Sequence, residues 1–157
     1  MTNYGQDILF KRLHEDAESL NLLRELNELY ADAFDEADTY LGKKPSDNYL
    51  LSLLSKGNVL VCVATVNHRV VAGLVAYVLE KFEQERSEVY IYDLAVDVNH
   101  RRKKIATNLI HFLKDEAAKL GAWVVYIQAD REDTPAVKLY DSLGIREEVY
   151  HYDFTIE

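Results

Sequence analysis

The stretch Val98–Ile110, VNHRRKKIATNLI, sets four cations in a row, Arg101 to Lys104, against the start of a helical pattern. In the residues that follow, Ile105, Leu109, Phe112, Leu113, Ala117 and Leu120 recur at the spacing of one helix face. The cations therefore fall at the helix N-terminus, where the macrodipole is already positive and acidic side chains are the stabilising choice. Before them runs EVYIYDLAV, an alternating stretch rich in β-branched and aromatic residues that reads as a strand. Strand, short polar turn and cationic helix start together make an anion-binding arrangement. The first helical N–H groups lack intrahelical partners and point outward side by side. Without a ligand the four charges oppose the dipole, and a bound pyrophosphate reverses that sign. A solvated basic turn is the alternative reading of the run taken alone.

The rest of the chain frames this unit. Its 157 residues suit one domain, residues 1–157, and 48% apolar content is ordinary for a globular protein. With 18 basic against 27 acidic residues the net charge is −9, which argues against nucleic-acid binding. The balance suits a cationic partner, and it is equally common in proteins with no such partner. No apolar run reaches the length of a membrane helix and the opening carries no signal-like apolar stretch, so a soluble cytoplasmic protein with no membrane partner is expected. Cys62, alone in the run NVLVCVATV, reads as a buried strand thiol.

The first third, to Ser55, is acidic, with eleven Asp and Glu against five Lys and Arg, and reads as helical. DAESLNLLRELNELYADAF is one helix, ended by GKKP; SDNYLLSLLSKG is a second, with Ser46 or Asp47 as cap and Gly57 at its end. NVLVCVATV and RVVAGLVAYVLEKF flank NHR as a hairpin. After the central helix, GAWVVYIQAD is a strand, with Trp123 expected in the core. DTPAVKLYDSLGI is a short helix capped by Asp133 or Thr134, with Pro135 in its first turn. EEVYHYDFTI closes the chain as a strand. The order α-α-β-β-β-α-β-α-β predicts a mixed α/β domain in which antiparallel hairpins lead into a right-handed βαβ crossover.

YDLAVDVNHRRKKIATNLI resembles the acetyl-CoA-binding motif of the GNAT N-acetyltransferases, whose pattern is Gln/Arg-x-x-Gly-x-Gly/Ala. Arg101 opens the motif and Ala106 closes it, while Lys104 stands where glycine is usual. DTPAVKLYDSLGI resembles the second cofactor helix of that family, with Tyr140 at its usual tyrosine. FEQERSEVYIYDLAV, HRRKKIAT, YIQAD and LYDSLGIREEVYHYD are similar to the aminoglycoside 3-N-acetyltransferases. The resemblance implies the GNAT fold, with helices on both faces of a mixed sheet and one strand splayed from its neighbour. It implies acetyl-CoA as donor, held by Leu94, Ala95, Val96, Arg101, Arg102, Lys103, Lys104, Ile105, Ala106, Thr107, Asp133 and Ala136. It further implies a cationic aminoglycoside as acceptor, acetylation of its 3-amino group, an antibiotic-resistance role, and pairing of family members as dimers, to which the Tyr-rich last strand would contribute.

Transfer to an amine needs a neutral nitrogen, a polarised carbonyl and a protonated leaving thiol. Asp93, at the end of its strand, is the candidate to hold the acceptor ammonium and take its proton; a strand-end Asp bonded to local backbone is the plainer alternative. Strand alternation puts Asp93 on the face opposite Glu88, Tyr90 and Tyr92 unless a bulge intervenes. Tyr140 is the candidate proton donor to the thiolate. Glu88, Asp130 and Asp153 are the carboxylates expected to face the acceptor, others being ordinary solvated charges. The five histidines lack metal-ligand spacing, so no metal is expected; His100 could add to the phosphate turn, and a surface residue is its plainer reading. Two other readings stay open: a polyamine or protein-lysine acetyltransferase, and a non-catalytic acyl-CoA sensor.

Overall fold

A computed structural model describes residues 7–156. The central element is an eight-residue strand, β2 (Val59–Val66), buried at every position. Such a strand needs cover on both faces, and its NVLVCVATV sequence supplies no polar face to leave wet. β3 (Arg69–Glu80) returns antiparallel beside it through Asn67 and His68, both at positive φ, the backbone that a two-residue hairpin turn demands. β4 (Ser87–Val96) pairs antiparallel with β3, and β5 (Ala122–Ile127) pairs parallel with β4. A four-residue strand, β1 (Leu9–Arg12), lies antiparallel on the other side of β2, so the sheet order is β1-β2-β3-β4-β5.

Helices cover both faces, as the resemblance implies. One face carries α1 (Ala17–Phe34) and α3 (Asp47–Ser55), with the five-residue α2 (Ala37–Leu41) between them. Leu22, Leu23, Leu26 and Tyr30 of α1 pack there with Leu50, Leu54, Val61, Val63 and Ala95. Asp16 starts α1 by accepting from the Ser19 N–H at 2.7 Å. The seat of α1 is close: a Cβ on Gly73 of β3 would lie 2.4 Å from the Leu26 side chain. The opposite face carries α4 (Ile105–Lys119), whose Ile105, Leu109, Leu113 and Ala117 pack on Leu60, Leu74, Val89 and Ile91. α5 (Thr134–Leu143) adds Tyr140 and Leu143 to the same cluster. Cys62 is fully buried, and burial pushes its thiol up to about 12.

Four expectations are corrected. β1 falls in the segment read as helical, because four residues at an edge are too few to show alternation. Phe34 already ends α1 through Asp35, which is left-handed at φ 54, and α2 follows before GKKP is reached. Trp123 is 57% exposed rather than core, with the Arg86 guanidinium 4.3 Å above its ring. EEVYHYDFTI alternates as a strand should, yet residues 145–156 form none and are exposed throughout. A strand exists only through a partner ladder, and none is supplied to this segment within the described chain.

Candidate active site

The parallel ladder between β4 and β5 ends at Ile91 opposite Ile127. β4 runs on for five residues to Val96, bonded only to β3, so its other edge is open from Tyr92 onward. The Asp97 N–H donates to Val71 on the β3 side at 2.8 Å. Alternation then turns the N–H groups of Leu94 and Val96 toward the open edge, where Arg101 Nε donates to the Val96 carbonyl at 3.2 Å. β4 is thus unpaired on its β5 side at the residues where the splay is expected.

The open edge leads into a single 3₁₀ turn, Val98–His100, organised by Asp97. Its carboxylate accepts from the Asn99 N–H at 2.9 Å and meets His100 Nδ1 at 3.0 Å, and His100 holds it below the usual carboxylate range. His100 is therefore the side chain that pairs with Asp97 in this turn. Arg101, Arg102, Lys103 and Lys104 follow, all exposed. Arg102 and Lys104 are left-handed, at φ 62 and φ 58. The glycine position of the motif therefore does adopt the backbone that favours glycine, here with a lysine in it. Lys104 is the N-cap of α4 and makes no side-chain cap bond, so the N–H groups of Ile105, Ala106 and Thr107 are left without a capping side chain. Uncapped helix donors, a left-handed turn and four cations form a donor set suited to phosphate oxygens.

Asp93 sits on the other side of the splay. Val75 pairs with Asp93 and Ala76 with Ile91, so Tyr92 is an extra residue bulged out of the ladder. The bulge resets the alternation. Val89 and Ile91 face α4, whereas Ala95 faces α1. Asp93 therefore shares the face of Tyr90 and Glu88, and its expected separation from them is overturned by that one inserted residue. Tyr40 of α2 donates to Asp93 Oδ1 at 2.9 Å, and the Tyr30 hydroxyl reaches the Asp93 carbonyl at 3.5 Å. Half-buried, Asp93 has a raised pKa: burial raises it most, the Tyr40 hydrogen bond opposes this, and Glu36 adds to the rise. Tyr77 and Tyr92 meet edge to face at 6.1 Å, Tyr90 and Tyr92 at 5.7 Å, and Tyr90 stacks on Tyr126 at 4.9 Å. The carboxylate thus lies among tyrosines, with Tyr77 and Tyr90 close enough to feel its charge. Tyr40 and Tyr30 were not found as site residues from sequence, because nothing in the chain signals a contact across 53 positions.

The remaining candidates divide. Tyr140 is part-buried on the α4 side, and burial, then the Asp133 charge, pushes its phenol up to about 12. Asp133 caps α5 by accepting from the Ala136 N–H at 3.2 Å, so that amide is already engaged. Glu88 lies 3.9 Å from Lys81 and close enough to raise the Tyr126 pKa. Asp130 is exposed after β5. Asp153 is exposed in the C-terminal segment with His151 at 2.9 Å, and the described chain does not bring it to Asp93. Among the described residues no three His, Cys, Asp or Glu side chains converge to hold a metal ion, and no helix is long and apolar enough to cross a membrane.

An aminoglycoside acetyltransferase from an uncultured soil metagenomic sample superimposes with a TM-score of 0.93 at 42% identity, covering 96% of this chain and 99% of its own. A second from the same kind of source, in complex with sisomicin, gives a TM-score of 0.87 at 32% identity, covering 96% and 97%. Over 60 residues the chain is also 30% identical to the ribosomal protein bS18-alanine N-acetyltransferase of Escherichia coli strain K12; the matched stretch is 38% of this chain and 40% of that relative's length. The sequence pattern of the Acetyltransferase (GNAT) family matches residues 22–145, and the chain belongs to that family.

Proposed function

We propose that this chain is an acetyl-CoA-dependent N-acetyltransferase acting on the 3-amino group of aminoglycosides. The observation that carries the reading is Asp93: a half-buried carboxylate, clamped by Tyr40, just past the last residue paired with β5. Likeness to two aminoglycoside acetyltransferases over 96% of the chain supports the acceptor class. The choice of the 3-amino group rests on the resemblance of the FEQERSEVYIYDLAV and LYDSLGIREEVYHYD blocks.

The donor set fits acetyl-CoA. The α4 amides with Arg101 to Lys104 suit its phosphates, and the free edge of β4 suits the amides of its pantetheine arm. Acetyl-CoA supplies a thioester acetyl group and a thiol leaving group. This chain's own groups do the rest. Asp93 pairs with the acceptor ammonium and takes its proton at the carboxylate oxygen that Tyr40 does not occupy. A raised pKa makes Asp93 a better base than an exposed carboxylate, and the Tyr40 bond favours its ionised form. The Leu94 and Val96 N–H groups face the open edge as donors to a developing oxyanion. Tyr140, protonated far beyond neutral pH, holds the proton that a departing sulfur needs. The tyrosines around Asp93 and Glu88 on the same sheet face offer π faces and negative charge, which suits a polycation.

A second reading, acetylation of a protein N-terminal amine, is favoured by the stretch shared with the bS18-alanine enzyme. Thiol release should be followed with gentamicin, spermidine, a lysine peptide and an alanine-terminated peptide, with the gentamicin product mapped by NMR. Release with gentamicin and acetyl on its 3-nitrogen is expected. Acetyl on another nitrogen removes the regiochemistry, and preference for either peptide or for spermidine removes the acceptor class. Acetyl-CoA binding with no thiol release from any amine leaves a sensor.

A further inference from the structure

We propose that Glu36, at the start of α2, is a second carboxylate of the acceptor site, holding a second ammonium of the acceptor while Asp93 holds the one that reacts. Resting on the aminoglycoside N-acetyltransferase reading above, this narrows the acceptor to amines that carry two cations close together. Glu36 and Tyr40 are neighbours across one helical turn, where the Tyr40 N–H donates to the Glu36 carbonyl at 3.2 Å. From the same turn the Tyr40 hydroxyl donates to Asp93 Oδ1 at 2.9 Å. α2 thus brings a phenol and a carboxylate to the end of β4. The charge of Glu36 reaches both partners. Burial raises the Asp93 pKa most, and Glu36 adds to it; burial and then the Asp93 contact raise Tyr40, and Glu36 adds again.

Among the described residues nothing neutralises this carboxylate. Glu36 is exposed, gives α2 no side-chain cap bond and takes part in no ion pair. Neighbouring carboxylates are placed differently. Asp35 ends α1 in a left-handed backbone, and Glu88, on the sheet face of Asp93, already stands 3.9 Å from Lys81. Ionised together, Asp93 and Glu36 repel each other, and nearby positive charge reverses the sign. One ammonium serves one carboxylate, whereas two serve both, so the pair favours a dication over a monoamine.

The two carboxylates differ in what happens to their cations. When the reacting nitrogen passes its proton to Asp93, amine and carboxyl both become neutral and that ion pair is gone. The ammonium at Glu36 keeps its proton and its charge. It therefore holds the acceptor at the open edge of β4 while the neutral nitrogen attacks.

The test follows thiol release with gentamicin on the full chain. Glu36→Gln should raise the gentamicin KM about three- to tenfold, more than it changes kcat, between the effect of an exposed ion pair and that of a sheltered charged hydrogen bond. Glu36→Asp should recover part of the loss. As competitors of gentamicin, cis-1,3-diaminocyclohexane should inhibit about threefold or more better than cyclohexylamine, and Glu36→Gln should erase the difference.

The pH profile separates charge from folding. Asp93 is faced by Tyr40 and Glu36 of α2, Tyr30 of α1, Tyr77 of β3 and Tyr90 of β4. Glu36 alone among these is charged near neutral pH. Its loss removes a charge that raises Asp93, so the acidic limb of kcat/KM should move to lower pH in Glu36→Gln. A limb moved to higher pH would mean that the Tyr40 bond was lost with α2, a structural role that overturns the proposed one. An unchanged gentamicin KM, or diamine inhibition no stronger than that of the monoamine, overturns it too and leaves the acetyltransferase reading standing. Wild-type protein that releases no thiol with gentamicin overturns the acceptor reading and the role of Glu36 together.

Discussion

Lys104 gives the sharpest quantitative test of the phosphate-turn geometry. Its φ of 58 and ψ of 20 put a β-carbon where the left-handed backbone costs about 1–2 kcal/mol. Its ammonium stands at the positive end of α4, unfavourable by about 0.3–1 kcal/mol when no anion is present. Two substitutions separate these effects. Lys104→Ala removes the ammonium and keeps the β-carbon; Lys104→Gly removes both. Without ligand, the glycine variant should be more stable than the alanine variant by about 1 kcal/mol, the relieved strain offset in part by glycine's freer unfolded chain. For a domain of this size that is a Tm difference of about 2–4 °C by calorimetry. Because both variants keep the backbone N–H, acetyl-CoA affinity by titration calorimetry should stay within about tenfold of wild type, or roughly 1.4 kcal/mol. A glycine variant that melts at or below the alanine variant refutes the left-handed turn. Complete loss of acetyl-CoA binding in Lys104→Gly refutes the alignment of the motif on residues 101–106.

Other substitutions probe the chemistry. Asp93→Asn should lower kcat by about 10²–10⁴-fold as the base is lost. The same change should raise Tm at neutral pH and flatten its pH dependence: a raised carboxylate pKa gives stability below the unfolded value that is lost as pH rises through the folded one. A variant that melts lower at neutral pH would contradict this. Tyr40→Phe removes the bond that lowers the Asp93 pKa, so the acidic limb of the kcat/KM profile should move to higher pH; an unmoved limb would show that Asp93 does not govern it. Tyr140→Phe should lower turnover while sparing acetyl-CoA affinity, and an unchanged rate would take its phenol out of the mechanism.

The parts of the fold that sequence discloses are those fixed by local chemistry. The α4 stripe, the Asn67–His68 hairpin, the Asp133 cap and the buried run around Cys62 all rest on residues within a few positions of one another. Asp93 was legible as a candidate for the same reason, standing at the end of an alternating strand beside a cationic turn. What escaped depends on partners distant in the chain. The Tyr92 bulge is set by where β3 and β4 fall out of register, and it alone decides which face Asp93 occupies. Tyr40 matters only because α2 folds over β4. β1 is a strand because β2 is beside it, and the C-terminal segment lacks such a neighbour despite a better strand pattern. Trp123 is drawn outward to the Arg86 guanidinium where Ser87–Glu88 pairs out of register with β5.

Amide hydrogen exchange with and without acetyl-CoA reads the donor site most directly. Protection on binding is expected at Leu94 and Val96 on the open edge of β4, and at the amides of Arg102 to Thr107 where α4 begins. Exchange unchanged over those residues while acetyl-CoA binds, or no binding at all, would contradict a donor site at this strand edge and helix start.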